Sequence, residues 1–192
     1  MEKVSTYIST QQLFNPNQRI LVGLSGGCDS VVLLHMLTNL GFKCEAAHVN
    51  FKLRGTASEN DAQFCEAFAK SLKVKFHLLD TDANVYAATH GISIEMAARE
   101  IRYAWFKRLL LEHSLDCVAV AHHKNDQAET ILMNLIRGTG VSGMKGMMPK
   151  NGSIVRPLLC ITRKEIEAYA KMHALASRYD QSNADTSFKR NN

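Results

Sequence analysis

The sequence predicts an α/β fold, a Rossmann-like parallel sheet with helices on both faces, and three observations predict it. Short strand-like apolar runs at residues 20–22, 44–49, 74–79 and 117–121 alternate with helical patterns, as right-handed crossovers between parallel strands require. Residues 31–40 are apolar nearly all round, which suits a helix packed deep against a sheet. The first strand also runs through Ser25, Gly26 and Gly27 into a helix opening at Asp29 and Ser30, a corner suited to phosphate.

In chain order, residues 4–14 predict a short helix stopped by the turn Asn15-Pro16-Asn17. After the strand at 20–22 and the helix closed by Gly41, the second strand ends in His48-Val49-Asn50-Phe51-Lys52-Leu53-Arg54-Gly55. Ser58 and Asp61 precede Phe64, Phe68 and Leu72 at helical spacing, so a capped amphipathic helix is expected, with Arg54 in the loop at the strand's C-terminal edge. His77 in the third strand reads as a strand-face residue without a role. Residues 93–112 predict a helix with a core stripe of Ile94, Ala98, Ile101, Trp105 and Leu109, and a second stripe of Glu95, Arg99 and Arg102.

The fourth strand runs into His122-His123-Lys124-Asn125-Asp126-Gln127-Ala128-Glu129-Thr130. The following helix is expected to bury Ala128, Ile131, Leu132, Leu135 and Ile136, and to close at Arg137-Gly138. His122, Asp126 and Glu129 would thus gather at a strand C-terminus, as the Ser25–Ser30 corner does, and two such edges facing one crevice make a site. Residues 142–159, rich in glycine and methionine, read as a mobile loop over that site, and residues 163–173 as a short helix.

The corner has a chemical reading of its own. Glycines without Cβ allow positive φ and close approach to a ligand, while the helix N-terminus offers N–H groups and partial positive charge to an anion. Ser25 and Ser30 add hydroxyls, and the Asp29 carboxylate suits a divalent cation bridging phosphates. A Walker loop requires Gly-Lys-Ser/Thr, but Cys28 follows Gly27, and Gly23, Gly26 and Gly27 do not fit the G-x-G-x-x-G spacing.

At 192 residues and 46% hydrophobic composition the chain supports one sizeable core, and its net charge of +5 is compatible with a nucleotide or nucleic-acid partner. Five widely spaced cysteines without a C-x-x-C pair predict reduced thiols and no iron–sulfur site. No apolar run reaches membrane-spanning length and no secretory signal is visible, so a cytoplasmic protein is expected. Composition leaves the oligomeric state open.

The segment Ser-Gly-Gly-x-Asp-Ser resembles the loop of the PP-loop ATP pyrophosphatases, of adenine nucleotide alpha hydrolase-like fold, which split ATP between its α and β phosphates. LSGGCDS, HVNFKLRG, SIEMAAREIRY, AHHKNDQAET, IRGTGVSGMKGM, RPLL with RKEI, and DQSNADTSFKRN, in that order, resemble the N-terminal catalytic domain of the bacterial tRNA(Ile)-lysidine synthetase family. Phe51 stands where that family often carries histidine, and Asn125 replaces the first Asp of its usual Asp-Asp-Gln, while Asp126 retains the second. The resemblance implies an ATP- and Mg²⁺-dependent ligase that adenylates the wobble cytidine of isoleucine tRNA with a CAU anticodon and joins free L-lysine to it. It implies catalytic roles for Asp29, His122 and Asp126, with Asp29 on the metal, and ATP binding by Ser25, Gly26, Gly27, Asp29, Ser30, Arg137 and Gly138. Arg54, Arg99 and Glu129 are the candidates for the other substrates. Residues 1–192 would form the catalytic domain, cut before C-terminal tRNA-binding domains. Three rivals share part of the pattern: a tRNA thiolase, for which paired cysteines are expected; an amidotransferase-linked synthetase, which the later blocks do not fit; and a silent tRNA-binding relative, which would lack the carboxylates.

Overall fold

Strand β1 (Arg19–Gly23) is buried on both faces, and its alternating side chains divide the interior in two. The computed structural model describes residues 1–139 and 145–178. Around β1, helix α1 (Glu2–Thr10), α2 (Cys28–Asn39), β2 (Lys43–Asn50), α3 (Thr56–Ser71), β3 (Lys75–Asp80), α4 (Ala83–His90), α5 (Ile94–Glu112), β4 (Cys117–Ala119) and α6 (Lys124–Ile136) follow in order. The hairpin β5 (Lys150–Asn151) and β6 (Ile154–Val155), a 3₁₀ turn (Pro157–Cys160) and α7 (Arg163–Met172) complete the described chain.

The sheet order is β3-β2-β1-β4-β6-β5, parallel throughout except for the antiparallel β5–β6 edge. Ile20 registers with Cys44 on one side and Cys117 on the other. Ile20, Val22, Ala46 and Ala119 face α1, α2, α3 and α7, whereas Leu21, Ala47 and Val118 meet Trp105, Phe106 and Leu109 of α5. Helices therefore cover both faces, as expected. Because the chain leaves β1 toward β2 and returns on its other flank as β4, the strand order switches direction beside the C-terminal end of β1, where open α/β sheets form crevices.

Several expectations are corrected. Helix α6 buries no residue, and Leu132, Met133, Leu135 and Ile136 are all exposed, because the helix packs on the 3₁₀ turn rather than on the sheet. On α5 the core stripe is Ala97, Trp105, Phe106 and Leu109; Ile94 lies in the first turn and is 45% exposed. Asp61 does not cap α3 but pairs with two arginines, and Ser58 accepts the Arg54 backbone N–H. Residues 150–155 form a hairpin rather than loop, while 140–144 lie outside the described residues. Helix α4 is additional. Asp82 caps it by accepting from the Asn84 and Val85 N–H groups, and left-handed Gly91 ends it.

At the opposite, N-terminal edge of the strands, buried Glu45 accepts from His77 Nε2 at 2.6 Å and from the Arg19 guanidinium at 2.5 Å, with Lys75 Nζ at 3.8 Å. His77, expected to have no role, is thus a structural partner. Burial raises the Glu45 carboxyl, but the His77 hydrogen bond, the Lys75 charge and the Arg19 hydrogen bond outweigh it and hold the group below its ordinary value. A depressed folded-state value contributes stability above the ordinary carboxylate range, and that stability is lost as pH falls through the folded value. Glu45→Ala is therefore expected to cost about 2–4 kcal/mol at neutral pH. In urea unfolding the gap from the parent chain should narrow as pH falls below about 4.

Candidate active site

At the C-terminal ends of β1, β2 and β4 lies a crevice of about 710 Å³, lined by the Ser25–Ser30 corner and by Arg54, Arg99, Arg102, His122, Asp126 and Arg178 among others. That volume is in the range of small-ligand sites. The corner is stitched internally. Ser30 Oγ donates to the Gly27 carbonyl at 2.9 Å and accepts the Ser25 N–H at 3.1 Å. A hydroxyl has one proton, so in the 3.0 Å contact between the two hydroxyls Ser25 is the donor. Buried Ser30 is thus a brace that shapes the loop, whereas Ser25 is exposed. Gly26 has φ +88°, and a Cβ there would stand 3.2 Å from Cys65 Sγ, so both conformation and space call for glycine. Upstream, the Leu24 carbonyl accepts from His48 Nδ1 at 2.8 Å, which ties β2 to the corner.

Asp29 occupies the first turn of α2, and its Oδ1 is buried without a hydrogen-bond partner. Its Oδ2 lies 3.8 Å from Nε2 of His123. Burial raises the Asp29 carboxyl above its ordinary value, against the opposing pull of His123 and Arg163. A buried carboxylate oxygen with nothing to accept from is costly and calls for a cation or donor brought by a ligand. Among the described residues no three His, Cys, Asp or Glu side chains could hold a metal unaided. Mg²⁺ takes one or two carboxylates and completes its shell with phosphate oxygens and water. The donor set at Asp29 fits that ion when a phosphate is present.

The histidine that meets Asp29 is His123, which sequence reasoning missed. It caps α6 in a closed box: its backbone N–H donates to Asp126 Oδ2 at 2.8 Å and its Nδ1 accepts the Asp126 N–H at 3.3 Å. With Nδ1 accepting, the neutral ring carries its proton on Nε2, toward Asp29. The signal was legible as His123 three residues before Asp126, immediately before a helical pattern. His122 points elsewhere and accepts from Arg156 Nε at 3.3 Å through Nδ1. Burial, then the Arg156 charge, lowers its pKa, so the ring is neutral near pH 7, and with Nδ1 engaged its other nitrogen is a donor.

The structure brings Ser25, Gly27, Asp29, Ser30, Arg54, Arg99, His122 and Asp126 into one lining. It leaves four expected residues out of that lining: Gly26 is buried within the turn itself, and the other three lie on α6 or at its end. Glu129 is on the exposed surface of α6, and Arg137 and Gly138 stand at that helix's far end, about 20 Å along its axis from the first turn at 1.5 Å per residue. Asn125 Oδ1 accepts the Arg163 N–H at 3.0 Å, which ties the start of α6 to the first turn of α7. Phe51 lies beneath the Arg102 guanidinium, 5.5 Å from ring centre to Cζ. The block at residues 180–191 lies outside the described residues. All five thiols are free, and burial pushes those of Cys44, Cys65 and Cys117 up to about 12, leaving them inert.

Residues 2–192 match the family described as the PP-loop domain. The chain is 52% identical over 191 residues to a tRNA(Ile)-lysidine synthase of Porphyromonas gingivalis, covering 98% of this chain and 42% of that protein. It is 48% identical over 188 residues to the tRNA(Ile)-lysidine synthase of Parabacteroides distasonis, covering 98% of this chain and 43% of that one. The chain thus spans under half the length of these curated relatives. Among solved structures it superposes on the U34-tRNA thiolase NcsA from Methanococcus maripaludis with its [4Fe-4S] cluster, at a TM-score of 0.72 and 22% identity, over 92% of this chain and 64% of that one. At that identity the likeness concerns the fold. No helix among the described residues is long and apolar enough to cross a membrane.

Proposed function

The chain belongs to the PP-loop domain family, and from that premise we propose that it is the catalytic part of a tRNA(Ile)-lysidine synthetase. ATP adenylates the C2 oxygen of the wobble cytidine in isoleucine tRNA with a CAU anticodon, pyrophosphate departs, and the ε-amine of free L-lysine displaces AMP. The observation that carries the reading is identity of about half the residues, along 98% of this chain, with relatives named for that activity. The inert, unpaired thiols count against the thiolase alternative, whose chemistry needs reactive sulfur.

In this scheme the Gly26–Gly27 turn and the α2 N-terminus hold the phosphates, and Ser30 keeps the turn in shape. Mg²⁺ bound through Asp29 would offset charge on the departing pyrophosphate. Nε2 of His123 steadies the Asp29 carboxylate, and the free N–H of His122 orients a reacting oxygen rather than removing a proton. Free lysine is almost fully protonated near neutrality, with a reference pKa of about 10.4, so a base must act before attack. Asp126, whose Oδ2 accepts the His123 N–H and whose side chain is 35% exposed, is the carboxylate that takes this proton. Arg99 is the candidate for the lysine carboxylate, and Glu129, the candidate for an amino end, lies outside the crevice lining.

Titrations with ATP and with isoleucine tRNA at two salt concentrations test the division of labour. Residues 1–192 are expected to bind ATP through a site complete in themselves, with little dependence on salt. Their tRNA binding should be weak and, for as few as two phosphate contacts, fall about tenfold between about 50 and about 200 mM salt. Tight, salt-insensitive tRNA binding would place the recognition surface within this domain, and absence of ATP binding would refute the reading.

A further inference from the structure

His122 lines the crevice, and Arg156, which holds it, does not. The two arrive on neighbouring chains: the Val120 N–H donates to the Val155 carbonyl at 3.0 Å, so β4 and β6 leave the sheet side by side. Arg156 is itself tightly held. Its backbone N–H donates to the Pro149 carbonyl at 2.9 Å, Nη1 donates to the Met148 carbonyl at 2.8 Å, and Pro157 restricts its backbone. The residue is only 8% exposed, yet among the described residues it has no carboxylate partner, and its remaining side-chain contact is Nε to His122 Nδ1 at 3.3 Å. A buried guanidinium spent on neutral groups is a poor device for stability. Its use lies in what it does to the ring.

We propose that Arg156 is a positioning residue that makes His122 an obligate hydrogen-bond donor of the crevice. A guanidinium has only N–H groups and stays charged, so it cannot accept a proton from Nδ1, and the neutral ring that meets it carries its proton on Nε2. A carboxylate in the same place would do the opposite, orienting an Nδ1–H and leaving Nε2 as a base. Around the ring, Arg99 and Arg102 of α5 add to the Arg156 charge and Asp126 of α6 opposes them; burial weighs most and keeps the imidazole neutral. The choice of partner thus separates two jobs, donation by His122 and proton removal by Asp126. That the donor meets a reacting oxygen rests on the ATP-dependent reading above, whereas the tautomer does not.

Heteronuclear NMR spectra of the histidine rings in the parent chain read the tautomer directly. His122, assigned by its loss in His122→Gln, is expected to be neutral with its proton on Nε2 from about pH 8 down to about pH 6.5, the ordinary histidine value. A proton on Nδ1, or an imidazolium at pH 7, overturns the proposal. Arg156→Met should release the ring: both neutral tautomers appear, and its titration moves to higher pH because a positive charge has gone. ATP-dependent pyrophosphate release with isoleucine tRNA should then fall about 10- to 100-fold in kcat, with the KM for ATP within about twofold. Arg156→Lys, which can only donate, should restore the Nε2 proton and bring kcat to within about fivefold of the parent. A merely structural arginine would leave the ring unchanged in a folded methionine variant, and that result also overturns the proposal. If Arg156→Met does not fold, the parent spectrum decides. A parent chain with the Nε2 tautomer but no pyrophosphate release refutes the proposed function alone.

Discussion

Asp29→Ala is expected to reduce ATP-dependent pyrophosphate release by about 100- to 1000-fold, the loss typical of removing a group that stabilises developing charge, while the protein melts no lower than the parent. The two halves come from one observation. Asp29 Oδ1 is buried without a partner, so the folded protein gains no hydrogen bond from it and bears its desolvation. Its favourable terms are the α2 dipole, about 0.3–1 kcal/mol, the His123 contact at 3.8 Å, beyond hydrogen-bond range, and the nearby Arg163 charge. Removing the carboxylate relieves the first cost against the loss of the second gain, and the net change in stability is small. A residue kept for structure would show the reverse, a lower melting temperature with release preserved. Retained pyrophosphate release in this variant refutes the metal role.

Asp126→Asn is expected to lower turnover by about 100-fold or more, with ATP affinity within about twofold. The amide keeps the shape and an oxygen that can accept the His123 N–H, so the box closing α6 survives and stability should fall by no more than about 1 kcal/mol. What the amide cannot do is take a proton from an ammonium group. Single-turnover kinetics with preformed adenylate would place the loss in the lysine step. A collapse of nucleotide affinity instead would assign Asp126 to the phosphate site.

How much of this was legible depended on whether the signal was local. The Ser25–Ser30 corner and the strands flanking it could be read because period, glycine placement and the first helical turn are contiguous in the chain. Helix α4 was equally local, announced by Asp82 and Gly91, but eight residues between a strand and a longer helix passed as connection. The α6 face failed for a tertiary reason: its periodicity is real, yet the helix packs on the 3₁₀ turn rather than on the sheet, and periodicity carries no information about what lies opposite. His123 was passed over for His122 because two adjacent histidines point to different sides, and only the α6 cap decides which one reaches Asp29. The link between Arg178 and Gly26 joins residues 152 positions apart, and no sequence pattern announces a contact of that span.

The proposed function has this crevice activate a tRNA base with ATP for attack by lysine. Its most direct test is the mass of an isoleucine tRNA transcript with a CAU anticodon, after incubation at low salt with residues 1–192, ATP, Mg²⁺ and free lysine. The expected result is a mass gain of one lysyl group on the fragment carrying the wobble cytidine, dependent on ATP and absent with Asp29→Ala. An unchanged transcript while ATP is split to AMP and pyrophosphate, or replacement of an oxygen by sulfur, would contradict it.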